Sequence, residues 1–521
     1  MQEQVETDKT PAFVSNDKRS RDLWNYTRQV YTLRQFRPAF ISDGRPTSDV
    51  DTVLRTLANA GNEGLKPEDF AVNADVIQKN DDELQLTYSL TRYVSQLCFG
   101  RIDPKELDAD WPPTQKACDI PKLVNDALEQ GSVEKLADQL SPRIPGYQGL
   151  RTALQRYREI ANAGGWQTHP LPPKGKKQVI NAAVLAPHLT ATGDLAGSNN
   201  EQSVSEAAVK EALRKFQTRH GLEASGVPDA KTIAALNIPV DQRIAQIEIN
   251  MDRMRWIGER FEPHHIRVNI PEFHLSVHEN EQVPLEMRVI VGSRENTTPI
   301  LDGRMEYLVF SPYWNIPLSI ATKELVPKIR KDPNFLRKEE MEVVRVSGDK
   351  VQTVDPSKID WDAIGEGSEY QLRQRPGSQN ALGLVKFIFP NRYNVYLHDT
   401  PGDNLFDRLT RTLSHGCIRV EKPSELAAYV LRDQPEWTFE RIEEAMHAEK
   451  EKRVSLKTAI PVHLLYWTAW ADADGTVNFR EDVYGYDEIQ RGLTSSPATN
   501  ASDIDVNKVR AGVVPDAAGL H

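Results

Sequence analysis

The spacing of apolar residues predicts helices in the first third of the chain. Within Gly149–Gly165 these residues recur at helical intervals, and the pair Gly164–Gly165 ends that helix. Between about residues 21 and 175 the pattern is mainly helical, and no chemical groups gather there at a useful spacing, so we interpret the region as a helical scaffold domain. Residues 1–20 are polar and predict a disordered N-terminus.

Residues 176–240 have the pattern of a small separate helical module. Ser203 and Glu206 have capping-box spacing and open a helix with one apolar stripe. A turn that contains glycine then leads to Asp229, a favourable N-cap for a second short helix over Ala230–Leu236. Within this module, the stretch Thr192–Gln202, which contains Gly, Ser and Asn, predicts a flexible loop.

After about residue 262, apolar and polar residues alternate, which is the pattern of strands. The alternation recurs, with turns between, at Ile266–Ile270, Phe273–Val277, Leu285–Val291, Met305–Phe310, Leu384–Phe389 and Asn394–His398. We therefore predict a mainly antiparallel domain over 262–450. A charged insertion at about 317–380, with helical patches such as Thr322–Lys331, predicts a lid over a site.

The C-terminal part, 451–490, contains a dense apolar stretch near Ala459–Trp470 that predicts a strand. A hairpin is expected from Pro461 to Phe479 around Asp472–Gly475. Those four residues resemble part of a calcium loop, but the later ligands are missing, so a hairpin turn is the preferred interpretation. The tail, 491–521, predicts disorder.

Together these patterns predict a multidomain α+β protein. It has a mostly helical N-terminal part, a small helical module, and a mainly antiparallel β domain with a helical lid insertion. The length of 521 residues agrees with roughly three or four units.

Charge and hydropathy exclude two classes of protein. The net charge of −11 is opposite to the basic surface that a nucleic-acid-binding protein needs. No apolar run approaches the ~20 residues that cross a bilayer. The first ten residues, MQEQVETDKT, lack the basic start and the apolar stretch of a secretory signal, so either the protein is cytoplasmic or its leader has been removed.

The cysteines are Cys98, Cys118 and Cys417. Cys98 and Cys118 are close in sequence and able to form one disulfide, which would leave Cys417 free. Three reduced, unrelated thiols are the alternative, and sequence spacing does not choose between them.

Two short segments hold the residue types that nucleophilic catalysis needs. Residues 396–401 read YLHDTP, and residues 414–420 read SHGCIRV. A cysteine nucleophile requires a base to form its thiolate and donors to hold an oxyanion. Cys417 is the candidate nucleophile. His398, at the end of a strand, and His415, two residues from the cysteine, are competing candidates for the base.

Neighbouring residues suggest further roles. Gly416 lets the backbone approach a substrate carbonyl, and the amide of Cys417 is then able to point toward it. Arg419 lies on the same face of an extended chain as Cys417, where it is able to pair with a substrate carboxylate. Asp399 would point away from His398 on a strand, so a backbone carbonyl is the expected partner of the imidazole.

Two other interpretations of these residues remain open. A cysteine is often an inert apolar side chain, and a histidine is often structural. A zinc site would use His398, Asp399, His415 and Cys417, but the chain has no CxxC pair and no HExxH motif, so no metal is expected.

The segment SHGCIRV, preceded by HDTP at 398–401, closely resembles the active-site signature of L,D-transpeptidases. Residues 205–238, which include Phe216-Gln217, Gly221-Leu222 and Asp229, resemble a peptidoglycan-binding domain. A helical scaffold, a wall-binding module and a catalytic domain with a large insertion, in that order, resemble the long Gram-negative branch of the family.

The resemblance implies a reaction. Cys417 would attack the carbonyl of the third residue of a tetrapeptide stem and release the terminal D-alanine. An amine, typically that of diaminopimelate on a second stem, would then take up the thioester and form a 3→3 cross-link without a cofactor. His398 matches the family base, which leaves His415 without that role.

The remaining expectations also come from the resemblance. The substrate-binding residues would be Arg419, Tyr396, Trp314, Ser414 and His415. The partners would be donor and acceptor stem peptides and carbapenem inhibitors, and the location would be the periplasm or cell envelope. The alternative functions are a cysteine peptidase or carboxypeptidase that uses water as acceptor, and a non-catalytic wall-binding scaffold.

Overall fold

The computed structural model describes residues 1–7, 9–42, 45–72, 80–107, 111, 117–171, 182–196, 205–258, 261–347, 350–362 and 364–495. Contacts divide the chain into two compact units, Met1–Phe261 with Tyr466–His521, and Glu262–Leu465. No helix within the described ranges is long and apolar enough to cross a membrane.

Helices dominate the first unit and are fewer in the second. In chain order the α-helices of the described residues are α1 (Gln2–Glu6), α2 (Lys18–Leu33), α3 (Asp49–Ala58), α4 (Asn80–Phe99), α5 (Pro104–Leu107), α6 (Ile120–Glu129), α7 (Leu136–Leu140), α8 (Tyr147–Asn162), α9 (Ala182–Thr192), α10 (Glu206–Arg219), α11 (Ala230–Leu236), α12 (Val240–Arg255), α13 (Leu318–Ile320), α14 (Val326–Lys331), α15 (Phe335–Lys338), α16 (Pro423–Val430), α17 (Phe439–Met446) and α18 (Tyr486–Ser495).

Strands make up most of the second unit. In chain order the strands of the described residues are β1 (Ile41–Ser42), β2 (Arg45–Pro46), β3 (His264–Asn269), β4 (His274–Glu279), β5 (Gln282–Gly292), β6 (Leu301–Phe310), β7 (Trp314–Asn315), β8 (Met341–Ser347), β9 (Lys350–Val354), β10 (Tyr370–Gln374), β11 (Val385–Ile388), β12 (Leu397–His398), β13 (Thr412–Ser414), β14 (Ile418–Val420), β15 (Lys452–Leu465), β16 (Ala469–Ala471) and β17 (Val477–Phe479). The predicted α+β class with a helical N-terminal part is confirmed.

The main core of the first unit lies between α2, α3, α4 and α6. These helices bury one apolar face each, as their spacing in sequence predicts, through residues that include Val30, Val53, Leu90, Val94 and Val124. A disulfide joins Cys98 of α4 to Cys118, with Cα atoms 6.4 Å apart. The structure therefore selects the disulfide over the reduced alternative, and Cys417 is the free cysteine.

The residues before α2 pack against the helical domain. Val5 and Val14 are buried in a small apolar cluster with Leu23, Trp24 and Tyr88. The prediction of a disordered N-terminus is wrong for these residues, because two isolated valines in a polar stretch have no periodicity to detect. At the other end, α18 continues to Ser495, past the predicted boundary at 490. The rest of the predicted tail lies outside the described residues.

The small module contains the two predicted helices, α10 and α11. Asp229 caps α11 by accepting a hydrogen bond from the Thr232 amide, as predicted. The cap of α10 is Ser205, which accepts from the Ala208 amide at 3.2 Å. The capping box that begins at Ser203 is therefore misplaced by two residues, and Ser203 itself lies outside the described residues, as does most of the predicted loop Thr192–Gln202.

The C-terminal hairpin is shorter than predicted. β16 and β17 pair antiparallel around a turn in which the Gly475 amide donates to the Asp472 carbonyl. The hairpin turn at Asp472–Gly475 is thus confirmed, but Pro461–Leu465 belongs to β15 of the other unit. The apolar run continues from one strand into the next, so its pattern does not mark where the chain changes sheets.

The second unit is built on a nine-stranded sheet in the order β13-β5-β14-β12-β11-β6-β15-β3-β4. Most neighbours are antiparallel, as predicted, but β12 with β14, β13 with β5 and β15 with β3 are parallel. Because β4 also pairs with β5, the sheet closes into a ring. The parallel pair of β12 and β14 places the two candidate motifs side by side.

The insertion between β7 and β11 has its own core. Helices α13 to α15, with a π-helical turn at Ala321–Leu325, pack against a four-stranded sheet in the order β7-β10-β8-β9. The prediction of helical patches is confirmed, and the structure adds a four-stranded sheet that the sequence pattern does not predict. Its strands are short and charged, which hides their alternation.

Candidate active site

One face of the central sheet packs into the core, and the other carries the candidate chemistry. Leu397, Ile418 and Val420 are almost completely buried, whereas Tyr396, Cys417 and Arg419, which alternate with them, are partly exposed. In the parallel pairing of β12 and β14, Leu397 lies opposite Ile418 and His398 opposite Arg419. Directly paired residues point to the same side of a sheet, so His398 and Arg419 share the chemical face.

Cys417 lies immediately before β14 and is partly buried. Its Sγ is 3.9 Å from the carbonyl oxygen of Asn394, a residue in the left-handed region at φ +54°. Burial raises the pKa of the Cys417 thiol, while hydrogen bonds from Tyr396 and the charge of Arg419 act in the opposite direction. The thiol is therefore protonated at rest and has neighbours that favour the thiolate.

His398 is buried with its ring orientation fixed by the backbone. Nδ1 is 2.6 Å from the carbonyl oxygen of Asp399. Because a carbonyl only accepts, Nδ1 carries the proton and Nε2 has the free lone pair. Burial, followed by the charge of Arg419, lowers the pKa of His398 to about 3, so the imidazole is neutral and able to accept a proton. The predicted carbonyl partner is confirmed.

The side chain of Asp399 serves the backbone instead of the imidazole. Its carboxylate accepts from the amide of Leu384 at 2.8 Å and from the amide of Thr400 at 2.7 Å. These bonds hold the chain on both sides of His398. Asp399 is thus no direct partner of the imidazole, as the alternation of side chains predicts.

His415 is turned toward the insertion. Its Nε2 lies 2.7 Å from Oε1 of Glu324, and both side chains are about half exposed, at 46% and 43%. In this arrangement the ring nitrogen is engaged by a carboxylate outside the chemical face. Of the two candidate bases, His415 thus contacts the insertion, whereas His398 shares the chemical face with Arg419.

The turn before Cys417 is held by hydroxyl groups. Gly416 has φ +112°, a conformation that favours glycine. Its amide donates to Oγ of Ser414 at 3.1 Å, and its carbonyl accepts from Oγ1 of the buried Thr298 at 2.8 Å. The Gly416 amide is thus already engaged. The amide of Cys417 donates to no acceptor in the described part of the chain, so it is available to a ligand.

Arg419 has no counter-ion among the residues that the structure describes. Its Nε is buried without a hydrogen-bond partner, and no carboxylate of the described residues forms an ion pair with the guanidinium. Burial lowers the pKa of Arg419. A bound anion would stabilise a partly buried guanidinium that lacks a carboxylate partner in the protein.

Not every candidate residue reaches this face. Tyr396, His398, Cys417 and Arg419 are brought together, and Ser414 supports the turn beside them. Trp314 instead packs against the core of the insertion, where its strand pairs with β10. No group of three or more potential metal-ligating side chains occurs within the described ranges.

Sequence inspection missed two residues. Thr298 connects the turn at Gly416 to β5, since its hydroxyl also accepts from the Gly292 amide at 2.8 Å. Lys386 lies directly opposite His398 on β11. A lysine between the buried residues Val385 and Phe387 was a detectable signal, because it places a charge on the partly exposed face of a central strand.

Three stretches of the chain match known families. Residues 25–154 match a scaffold domain, and residues 188–236 match a family described as "Putative peptidoglycan binding domain". Residues 263–454, which contain the whole candidate site, match the L,D-transpeptidase catalytic domain.

Individual proteins are also similar. A "Putative L,D-transpeptidase" of Haemophilus influenzae (strain ATCC 51907 / DSM 11121 / KW20 / Rd) is 36% identical over 242 residues, which are 46% of this chain and 48% of that protein. The chain thus spans about half the length of this relative.

Two solved structures are more distant. L,D-transpeptidase 1 of Mycobacterium tuberculosis is 15% identical with a TM-score of 0.17, covering 40% of this chain and 64% of that one. The L,D-transpeptidase of Xylanimonas cellulosilytica DSM 15894 is 13% identical with a TM-score of 0.17, covering 57% and 100%.

Proposed function

This chain belongs to the L,D-transpeptidase family through its catalytic domain, and from that premise we propose that it is a peptidoglycan L,D-transpeptidase that forms 3→3 cross-links. The donor is a tetrapeptide stem that loses its terminal D-alanine. The acceptor is an amine, typically that of diaminopimelate on a second stem.

Cys417 is the nucleophile and His398 its base. As Sγ bonds to the carbonyl carbon of the third stem residue, the thiol proton passes to Nε2 of His398. When the tetrahedral intermediate collapses, the carbon–nitrogen bond breaks and that proton goes to the departing amine of D-alanine. The acceptor amine then attacks the thioester, its proton returns through His398 to the sulfur, and an amide replaces the thioester. The bond energy is retained, so no ATP is needed.

The observation that carries this proposal is that Cys417 and His398 share two neighbours. Tyr396 affects the pKa of the thiol and contacts the imidazole, with ring centroids 5.7 Å apart. Arg419 acts electrostatically on both the thiol and the imidazole. A free thiol and a neutral imidazole beside the same two side chains are the components of a cysteine acyltransferase site.

The other residues of the site have binding functions in this proposal. Arg419 pairs with a carboxylate of the donor stem, and Tyr396 lines the cleft beside the sulfur. Gly416, with Ser414, sets the turn so that the Cys417 amide donates to the oxyanion. His415 connects the cleft to the insertion, which acts as the lid, and Trp314 supports that lid by packing against its core.

Location and inhibition follow from the same chemistry. The module at residues 188–236 holds the enzyme on peptidoglycan, which places it in the periplasm or cell envelope. Carbapenems acylate Cys417, because a strained β-lactam amide offers the carbonyl that the thiolate attacks.

The proposal is tested with a purified disaccharide tetrapeptide. The expected product is the cross-linked dimer, formed by the wild type and lost in Cys417→Ala. If tripeptide accumulates without dimer, water is the acceptor and the protein is a carboxypeptidase. If Cys417→Ala processes the wall peptide like the wild type, the enzyme proposal is overturned and a wall-binding scaffold is favoured.

A mass measurement gives an independent check. Incubation with meropenem is expected to add one inhibitor mass to the wild type and none to Cys417→Ala. An unchanged mass of the wild type contradicts an activated thiol.

A further inference from the structure

Three cationic or titratable side chains stand in one row across the central sheet. Lys386 of β11 is paired with His398 of β12, and His398 is paired with Arg419 of β14. Because paired residues point to the same side, all three share the chemical face. Arg419 and Lys386 thus lie on opposite sides of His398.

Lys386 is an unusual lysine in this sheet. It is half-buried, and burial lowers the pKa of its ammonium group. Within the described part of the chain its Nζ has no hydrogen-bond acceptor and no ion pair. The acid that acts on it through space is Glu451, whose Oε2 is engaged by the Tyr313 amide at 2.8 Å.

Other lysines near this sheet find protein partners. Nζ of Lys422 donates to the Glu286 carbonyl at 3.0 Å, and Nζ of Lys457 donates to the Asp433 carbonyl. Desolvating an ammonium without such a partner costs free energy, which an anion in the cleft offsets. The position of Lys386 therefore points to a ligand with negative charge.

The row also sets the spacing of that charge. Adjacent strands are about 4.8 Å apart, so the backbones of Lys386 and Arg419 are separated by roughly 10 Å with the base between them. One carboxylate is able to bind both cations only if both side chains bend toward each other over the imidazole. Two separate carboxylates fit the arrangement better.

We infer that Lys386 is a second carboxylate-binding residue of the donor site, which together with Arg419 makes the enzyme selective for stems with free carboxylates over amidated stems. The inference rests on the proposed function. A donor stem with the same third residue as the acceptor ends in diaminopimelate and D-alanine, and it has a free carboxylate on each of these residues. Each cation takes a different carboxylate, and the scissile amide lies between them beside His398 and Cys417.

Binding of synthetic tetrapeptides to the full chain with Cys417→Ala tests this inference without turnover. Calorimetry compares the affinity for a donor with both carboxylates free with the affinities for two donors, each amidated at one carboxylate. Amidation at the carboxylate held by Lys386 is expected to weaken binding about tenfold or more, since a hydrogen bond to a charged group is lost. In the chain that also carries Lys386→Met, amidation at the carboxylate held by Lys386 should no longer weaken binding. Amidation at the other carboxylate should still weaken it.

Two further variants keep the test interpretable. Lys386→Arg retains the charge and should retain the discrimination, even if Lys386→Met proves unstable. Lys457→Met removes an exposed lysine of the same sheet and should change no donor affinity. If Lys386→Met and Lys386→Arg weaken all donors equally, or if neither changes the discrimination, the inference is overturned.

The outcome is separable from the proposed function. If the Cys417→Ala chain discriminates through Lys386 while the wild type forms no dimer, the transpeptidase proposal fails and the carboxylate site stands. If the wild type forms dimer and Lys386 has no effect on discrimination, the carboxylate site fails alone.

Discussion

His398 and Arg419 are paired in register on adjacent parallel strands, so a guanidinium lies beside the imidazole. Its positive charge adds to burial in lowering the pKa of His398 to about 3. Burial also raises the pKa of the Cys417 thiol. The resting pair is therefore a neutral thiol and a neutral imidazole, so in the proposed mechanism the proton moves only as the sulfur attacks.

The identity of the base is testable by two matched substitutions. His398→Gln is expected to slow acylation by a carbapenem about 10²- to 10⁴-fold, because a positioned base is lost. His415→Gln should change the rate by about fivefold at most, since its exposed pairing with Glu324 contributes about 1 kcal/mol or less. The measurement is single-turnover acylation followed by mass spectrometry. The opposite ranking would make His415 the base.

The rate of acylation by a carbapenem should not fall on the acid side near the ordinary histidine pKa of about 6.5. His398 must be neutral to accept a proton, and with its pKa lowered to about 3 it is neutral throughout the range from pH 5 to 8. On the alkaline side, alkylation of Cys417 should still be rising beyond pH 9, because its pKa is raised.

Rates of acylation and of iodoacetamide alkylation between pH 5 and 10 check both expectations. Circular dichroism at each pH separates titration of the site from unfolding. Loss of acylation with a midpoint near pH 6.5 in folded protein would show that His398 titrates normally.

Gly416→Ala should damage the turn at the nucleophile. At φ +112° an alanine is strained by about 1–3 kcal/mol, which is expected to lower the unfolding free energy or displace Cys417. Urea unfolding and carbapenem acylation measure the two effects. Gly365→Ala, at a glycine of the insertion with open space around it and no positive φ, is the control and should stay within about 0.5 kcal/mol of wild type. If both variants unfold and acylate like each other, the positive φ of Gly416 does not require a glycine.

Loss of the disulfide should destabilise the first unit and spare the chemistry. Cys98 and Cys118 are separated by 20 residues, and closing a loop of that size contributes about 3 kcal/mol through the unfolded chain. The double variant Cys98→Ala with Cys118→Ala is expected to unfold at a lower denaturant concentration. Its rate of carbapenem acylation should equal that of the wild type in the absence of denaturant, and a large drop in that rate would contradict the expectation.

Much of the fold was predictable because the relevant signals are local. Periodicity along α8 and α11 and alternation along β3 to β6 reflect which side of an element is buried, and they predicted these elements to within a few residues. The prediction failed at Val5 and Val14, because isolated buried residues show no periodicity. It also failed for the C-terminal hairpin, because one apolar run continues from β15 of one unit into β16 of the other.

For the site, the sequence by itself determined the two motifs, the candidate nucleophile at Cys417 and the expectation that a backbone carbonyl orients the imidazole. It left His398 and His415 as competing bases and contained no sign that Thr298 holds the turn. Only the tertiary structure placed His415 against Glu324 and Thr298 against the turn, and only the register of β11, β12 and β14 placed Lys386 and Arg419 on either side of His398. The physical reason is that burial, charge proximity and hydrogen bonding depend on which distant segments pair, and pairing is a property of the whole sheet.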